Sequence, residues 1–212
     1  FIFLPGCDTG WMYPVPMQPE DGSDLSFYQA PESIEPLVNP AAARPRSIIL
    51  CIGDGMGVNQ VALGRDGSVG PSGRLWMERM PYTGLVSTHN DLGKVTDSAA
   101  GITAILCGIK TRNGRIGQAP NGTGWISIAR RLQEDGYRIG TAVTCTMTHA
   151  TPAGLAANVP GRGDEVRIAV QLLDAKIDVL FGGGRQNWLP NTLPGGARTY
   201  GRNLLAEARQ AG

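Results

Sequence analysis

Ser98 follows Asp97 directly at the head of a helix-compatible run, Thr96-Asp97-Ser98-Ala99-Ala100-Gly101. A hydroxyl in the first turn of a helix lies among free amide donors and the positive end of the dipole, which favour an anionic alkoxide. An unassisted serine is a poor nucleophile at neutral pH and needs a base or a metal. No G-x-S-x-G elbow surrounds Ser98, so a hydrolase triad is disfavoured and a metal is the more economical activator. Upstream, Ile48-Ile49-Leu50-Cys51-Ile52-Gly53-Asp54-Gly55-Met56-Gly57 places Asp54 at the end of an aliphatic run, where flanking glycines let a cation approach. Downstream, Thr148-His149-Ala150-Thr151-Pro152 sets an imidazole and a hydroxyl two residues apart after another apolar run. Arg162 carries a planar fork that suits bidentate phosphate recognition. A nucleophilic hydroxyl, oxygen ligands for hard cations and a guanidinium together point to metal-assisted phosphoryl transfer.

Each residue also has a plainer reading. Asp54 could cap the helix after a strand-to-helix turn, Asp97 or Ser98 could be an ordinary cap, and His149 a structural imidazole. Thr151 could be a turn residue and Arg162 half of a surface ion pair. Gly53, Gly55 and then Val58 break the dinucleotide fingerprint, and Gly182-Gly183-Gly184 lacks the lysine of a phosphate-binding loop.

The elements that must hold these groups alternate. Ser47 to Ile52 reads as a strand buried on both faces, with a helix starting near Val58 and a further strand over 83–88. Ile102, Ile105, Leu106 and Ile109 fall at helical spacing over 98–110, as do Trp125, Ile128, Ala129 and Leu132 before Gly136. A strand over 137–144, a helix through Val166, Ala169, Val170 and Leu173, a strand over 177–181 and a helix over 203–210 complete the order. Such alternation predicts an α/β fold around a largely parallel sheet, with ligands gathered at the carboxyl ends of its strands.

With 212 residues, 42% of them hydrophobic, the chain can bury a sizeable core. A net charge of +1, with the signs mixed along the chain, gives no basic footprint, so no nucleic-acid partner is expected. Cys7, Cys51, Cys107 and Cys145 show no zinc-ligand spacing, and the last three suit small buried hydrophobes. Phe1-Ile2-Phe3-Leu4-Pro5-Gly6-Cys7 reads either as the tail of a signal segment ending in a lipobox or as a chance apolar start. In the first case Cys7 would carry a lipid anchor and the protein would be exported. Prolines from Pro14 to Pro45 mark residues 1–45 as an extended N-terminal arm.

Taken together, the Asp54 turn, the Ser98 segment, Thr148-His149-Ala150-Thr151-Pro152-Ala153-Gly154 with Arg162, and Asp178-Val179-Leu180-Phe181-Gly182-Gly183-Gly184-Arg185 resemble the alkaline phosphatase family. The similarity covers residues 46–212, read as the N-terminal portion of that family's catalytic domain, a three-layer sandwich that is incomplete in this chain. The resemblance implies phosphomonoester hydrolysis with two Zn2+ and one Mg2+, outside the cytoplasm, by a homodimer when complete. It implies that Asp54 bridges the magnesium and one zinc, and that Ser98 is the zinc-bound nucleophile that becomes phosphoserine. Thr151 would ligate magnesium and Arg162 would grip two phosphate oxygens. His149 takes a place where some members carry a metal-binding aspartate and others a histidine, which weakens direct magnesium contact. One departure is large. The chain has only two histidines, His89 and His149, too few for a pair of zinc sites, so the chain alone is expected to be an inactive part of the enzyme. The competing readings are a phosphodiesterase of the same superfamily and a non-catalytic exported lipoprotein or binding module that keeps the fold.

Overall fold

The computed structural model describes residues 2–3, 47–70, 72–80, 82–199 and 201–211, so the proline-rich arm and Cys7 lie outside the described residues. The chain divides into two compact units, Phe1–Ser87 and Thr88–Gly212.

In the first unit β1 (Ile2–Phe3) pairs in parallel with β2 (Ile52–Gly53), Ile2 opposite Ile52. The strand expected over Ser47–Ile52 is thus regular only at its end. Among the described residues, 47–51 join no ladder, and Ile48, Ile49, Leu50 and Cys51 are exposed. The expectation of a buried Cys51 is corrected for the same reason: a doubly buried strand needs neighbours on both sides, and here the run has none described. The stretch 83–88 is likewise not a strand, and Leu85 and Val86 face solvent. α1 (Val58–Ser68) begins at Gly57, whose amide donates to the Gln60 side chain at 3.1 Å. Gly57, not Asp54, is therefore the helix cap; Asp54 sits in the preceding turn, closed by the Met56 amide on the Gly53 carbonyl.

The second unit follows the sequence pattern closely. It contains α2 (Ser98–Cys107), α3 (Ile128–Glu134), β3 (Gly140–Thr146), α4 (Ala150–Ala153), α5 (Glu165–Asp174), β4 (Val179–Gly183) and α6 (Leu204–Ala211). β3 and β4 are parallel, with Gly140, Thr141 and Ala142 opposite Val179, Leu180 and Phe181, and α4 and α5 form the crossover between them. This is a βαβ unit, the building block of an α/β sheet. Ile168, Ala169 and Leu172 of α5 are buried in a core that also holds Ala99, Val159, Trp188 and Leu204. Leu180 packs against that core, whereas Val179 and Phe181 lie on the open side.

α2 owes its position to small residues. Ala99, Ala100 and Gly101 are buried, and a side chain added at Gly154 would overlap Ile102, so α2 and the end of α4 approach backbone to side chain. The helix ends at Gly108, earlier than the Lys110 expected from periodicity. Cys107 at its last turn is half-buried, and burial pushes its thiol above the ordinary range. Among the described residues no helix is long and apolar enough to cross a membrane.

Candidate active site

Asp97 shapes the start of α2. One carboxylate oxygen accepts the Ala100 amide at 2.9 Å, the N-cap bond that Ser and Asp provide at helix starts. The other accepts the Gly114 amide at 2.9 Å and faces Arg162 Nη1 at 3.3 Å. Gly114 follows Asn113 in a tight turn and has a φ of 86°, a conformation that glycine adopts without strain. Asn113 ties this turn to the same segment: its Oδ1 accepts the Asp97 amide at 3.2 Å and its Nδ2 donates to the Val95 carbonyl at 3.0 Å. Buried Asn90 donates to Asn113 Oδ1 at 3.1 Å from the loop before. Ser98 thus stands on a helix start whose preceding residues are fixed from three sides.

These contacts make Asp97 a stability residue as well as an active-site one. Asp97→Ala is expected to lower the unfolding free energy by about 1–2 kcal/mol, as a lost cap does. Asp97→Asn, whose single amide oxygen can accept from Ala100 or from Gly114 but not from both, should recover only part of that. Urea unfolding of the three proteins checks both values.

Arg162 reaches the serine from the loop before α5. Its Nη1 donates to Ser98 Oγ at 2.9 Å, and its Nη2 lies 2.8 Å from His149 Nε2. A guanidinium has only donors, so this contact is a hydrogen bond when His149 Nε2 accepts, which assigns the ring proton to Nδ1. That Nδ1 is buried without a hydrogen-bond partner. His149 itself begins α4, its carbonyl accepting the Ala153 amide at 2.9 Å. Three of the five Arg162 N–H groups serve Ser98, Asp97 and His149, which leaves two for the oxygens of a bound anion.

Ser98, His149 and Arg162 therefore come together as the spacing suggested, with Asp97 as a fourth member. Arg162 does form an ion pair, with half-buried Asp97, and Thr151 lies within α4 rather than in a turn. Asp54 belongs to the first unit.

The resemblance implies three metal ions, and the donor chemistry divides them. Among the described residues no three His, Cys, Asp or Glu side chains gather, so the described residues by themselves do not fit a pair of zinc centres. The carboxylate of Asp54 and the hydroxyl of Thr151 are hard oxygen donors of the kind magnesium takes.

Sequence reasoning missed Asn90, Asn113 and Glu165. The Asn113-Gly114 pair is a strong turn signal that was there to be used; Glu165 looked like one more acidic residue at a helix start.

A family model described as alkaline phosphatase matches residues 45–212. Streptomycin-6-phosphate phosphatase of Streptomyces griseus is 35% identical over 212 residues, covering 89% of this chain and 47% of the relative. The membrane-bound alkaline phosphatase of Bombyx mori is 32% identical over 87% of this chain and 43% of its own length. The chain thus spans less than half the length of these curated relatives. Among solved structures, a cold-active alkaline phosphatase from a psychrophilic Shewanella sp. gives a TM-score of 0.62 at 33% identity, over 65% of this chain and 36% of that one. The alkaline phosphatase of the Antarctic bacterium TAB5 gives 0.63 at 31% identity, over 74% and 43%. A histidine-to-aspartate variant of the TAB5 enzyme carries Mg in its M3 site. The match runs unbroken through the capped serine, the imidazole after β3 and the arginine loop, and on that ground the chain belongs to the alkaline phosphatase family.

Proposed function

We propose that this chain supplies the nucleophile and the phosphate grip of a phosphomonoester hydrolase working through a phosphoserine on Ser98. The observation that carries this reading is the 2.9 Å contact between Arg162 Nη1 and Ser98 Oγ at the start of α2. An arginine poised on a serine hydroxyl is suited to hold the oxygens of the group that the hydroxyl attacks.

Arg162 grips two phosphate oxygens, Asp97 holds its guanidinium over the serine, and the first turn of α2 favours the alkoxide form of Ser98. Ser98 Oγ attacks phosphorus as the bond to the substrate's alcohol breaks, and the alcohol oxygen leaves with the electron pair. Water then attacks the phosphoserine, returning the serine and releasing inorganic phosphate. Asp54 and Thr151 are proposed as cation ligands on the strength of their motifs, and His149 likewise once its Nε2 is released from Arg162. Bound cations would supply positive charge for the alkoxide and for the leaving oxygen. The two zinc ions and the magnesium, export from the cytoplasm, a homodimer and a lipid on Cys7 extend the same reading.

With two histidines, the chain cannot furnish a pair of zinc centres, so the remaining ligands come from polypeptide outside these 212 residues. The 212-residue chain given zinc and magnesium is therefore expected to show no steady release of nitrophenol from nitrophenyl phosphate. Steady turnover by the chain alone would refute that division of ligands. In metal-loaded protein that carries those remaining ligands, faster hydrolysis of the bis(nitrophenyl) diester than of the monoester would favour the phosphodiesterase, and hydrolysis of neither the binding module.

A further inference from the structure

A partly buried polar junction centred on Glu165 takes no part in the chemistry above. Glu165 Oε2 accepts from Thr146 Oγ1 at 3.0 Å, from Asn187 Nδ2 at 2.6 Å and from Thr148 Oγ1. Asn187 Nδ2 also donates to Thr148 Oγ1 at 2.8 Å. Thr148 is fully buried and Asn187 nearly so. Arg198, also buried, closes the far side: its Nη1 donates to the Val166 carbonyl at 2.8 Å and to the Asn187 carbonyl at 3.2 Å. Burial pulls its guanidinium below the ordinary range, and repulsion from Arg202 adds to this. A charged acceptor taking three donors is among the stronger arrangements a protein can build, because each bond is charge-assisted.

The two segments so joined are those that carry the site. Glu165 is the first residue of α5, three after Arg162. Thr146 ends β3, and Thr148 immediately precedes His149. The turn between them is closed by the His149 amide on the Thr146 carbonyl at 3.0 Å. One carboxylate oxygen therefore lashes the arginine's helix to the histidine's turn, and next to that tie Arg162 Nη2 meets His149 Nε2 at 2.8 Å.

We propose that Glu165 is a positioning residue: it sets the register between the Arg162 loop and the Thr146–His149 turn, and so fixes where the guanidinium fork points. The inference rests on Arg162 as the phosphate grip, but it has a readout of its own, the tautomer of His149. With Arg162 seated, His149 must keep its proton on Nδ1. With the two segments uncoupled, the ring is free to exchange tautomers.

The test uses the metal-free 212-residue chain, with nitrogen NMR of the His149 ring and the Arg162 guanidinium, and inorganic phosphate as probe. Wild type is expected to show the Nδ1–H tautomer and a slowly exchanging guanidinium. Glu165→Ala should give mixed tautomers, an averaged guanidinium and phosphate affinity weaker by about tenfold, the size expected when a supporting partner is lost. Glu165→Gln, whose amide oxygen can still accept the same donors, should restore the tautomer and leave the affinity within about twofold of wild type, since geometry rather than charge is what is needed. Thr148→Val removes one donor without touching the charge and guards against a Glu165→Ala chain that does not fold; it should shift the same ring signal. A folded Glu165→Ala or Thr148→Val chain with an unchanged His149 tautomer would overturn the proposal. Tautomers that shift in a chain insensitive to phosphate would support Glu165 as the positioning residue and instead remove the phosphate grip from Arg162.

Discussion

Ser98→Ala, in metal-loaded protein that carries the remaining ligands, is expected to lower kcat by at least about a thousandfold, because the proposed attacking atom is gone. That loss corresponds to about 4 kcal/mol of transition-state stabilisation. The fold should not notice: the α2 cap is made by Asp97, and the helix is buried through Ala99, Ala100 and Ile102, none of which Ser98 contributes to. Acid-quenched reactions with labelled substrate should trap phosphate on the wild-type chain and none on the variant. Rates within tenfold of wild type, or label persisting on the variant, would show that another group is attacked and that the 2.9 Å contact with Arg162 is incidental.

Arg162→Ala should be the next most costly change, with kcat/KM falling by at least about a hundredfold. Hydrogen bonds to charged groups contribute roughly 1.5–3 kcal/mol each, and two are at stake when a fork grips an anion. Stability should change far less, since Asp97 Oδ2 keeps its bond from the Gly114 amide at 2.9 Å when the guanidinium leaves. Arg162→Lys should recover only part of the loss, because an ammonium is a point charge and cannot present two parallel donors. Initial rates across substrate concentration separate the two effects: a raised KM with a lesser fall in kcat marks ground-state grip. An unchanged kcat and KM in Arg162→Ala would mean that the arginine serves the fold and not the substrate.

Local chemistry was easiest to read in the sequence. Asp97 before an apolar helix, Gly136 after α3 and the aliphatic face of α5 each encode their element within a few residues, and the structure places them accordingly. Parallel pairing was legible too, since alternating strands and helices leave few other arrangements, and β3 with β4 is such a pair. The run Ser47–Ile52 shows the limit. Its aliphatic composition states what the segment needs, neighbours on both faces, and cannot state that residues 47–51 are left outside any ladder here. At the site, Ser98, His149 and Arg162 were recognisable because each has chemistry of its own. Asn113 and Glu165 were not, because neither acts except through partners 16 to 23 residues away. Only the folded chain brings Asn187 to Glu165, and nothing in a helix-starting glutamate distinguishes it from one that faces solvent.

The Asn113-Gly114 turn also carries a clock. An asparagine followed by glycine is the peptide bond most prone to spontaneous deamidation, because the glycine nitrogen can attack the side-chain carbonyl carbon, expel ammonia and close a succinimide. Here that nitrogen is occupied, its hydrogen given to Asp97 Oδ2 at 2.9 Å, and the asparagine amide is itself held on the Val95 carbonyl. While the helix cap stays closed, the reaction is restrained; when it opens, ring closure becomes possible, and hydrolysis leaves an aspartate or isoaspartate facing Asp97. Deamidation at this turn should therefore run at a pace set by how often the start of α2 frays.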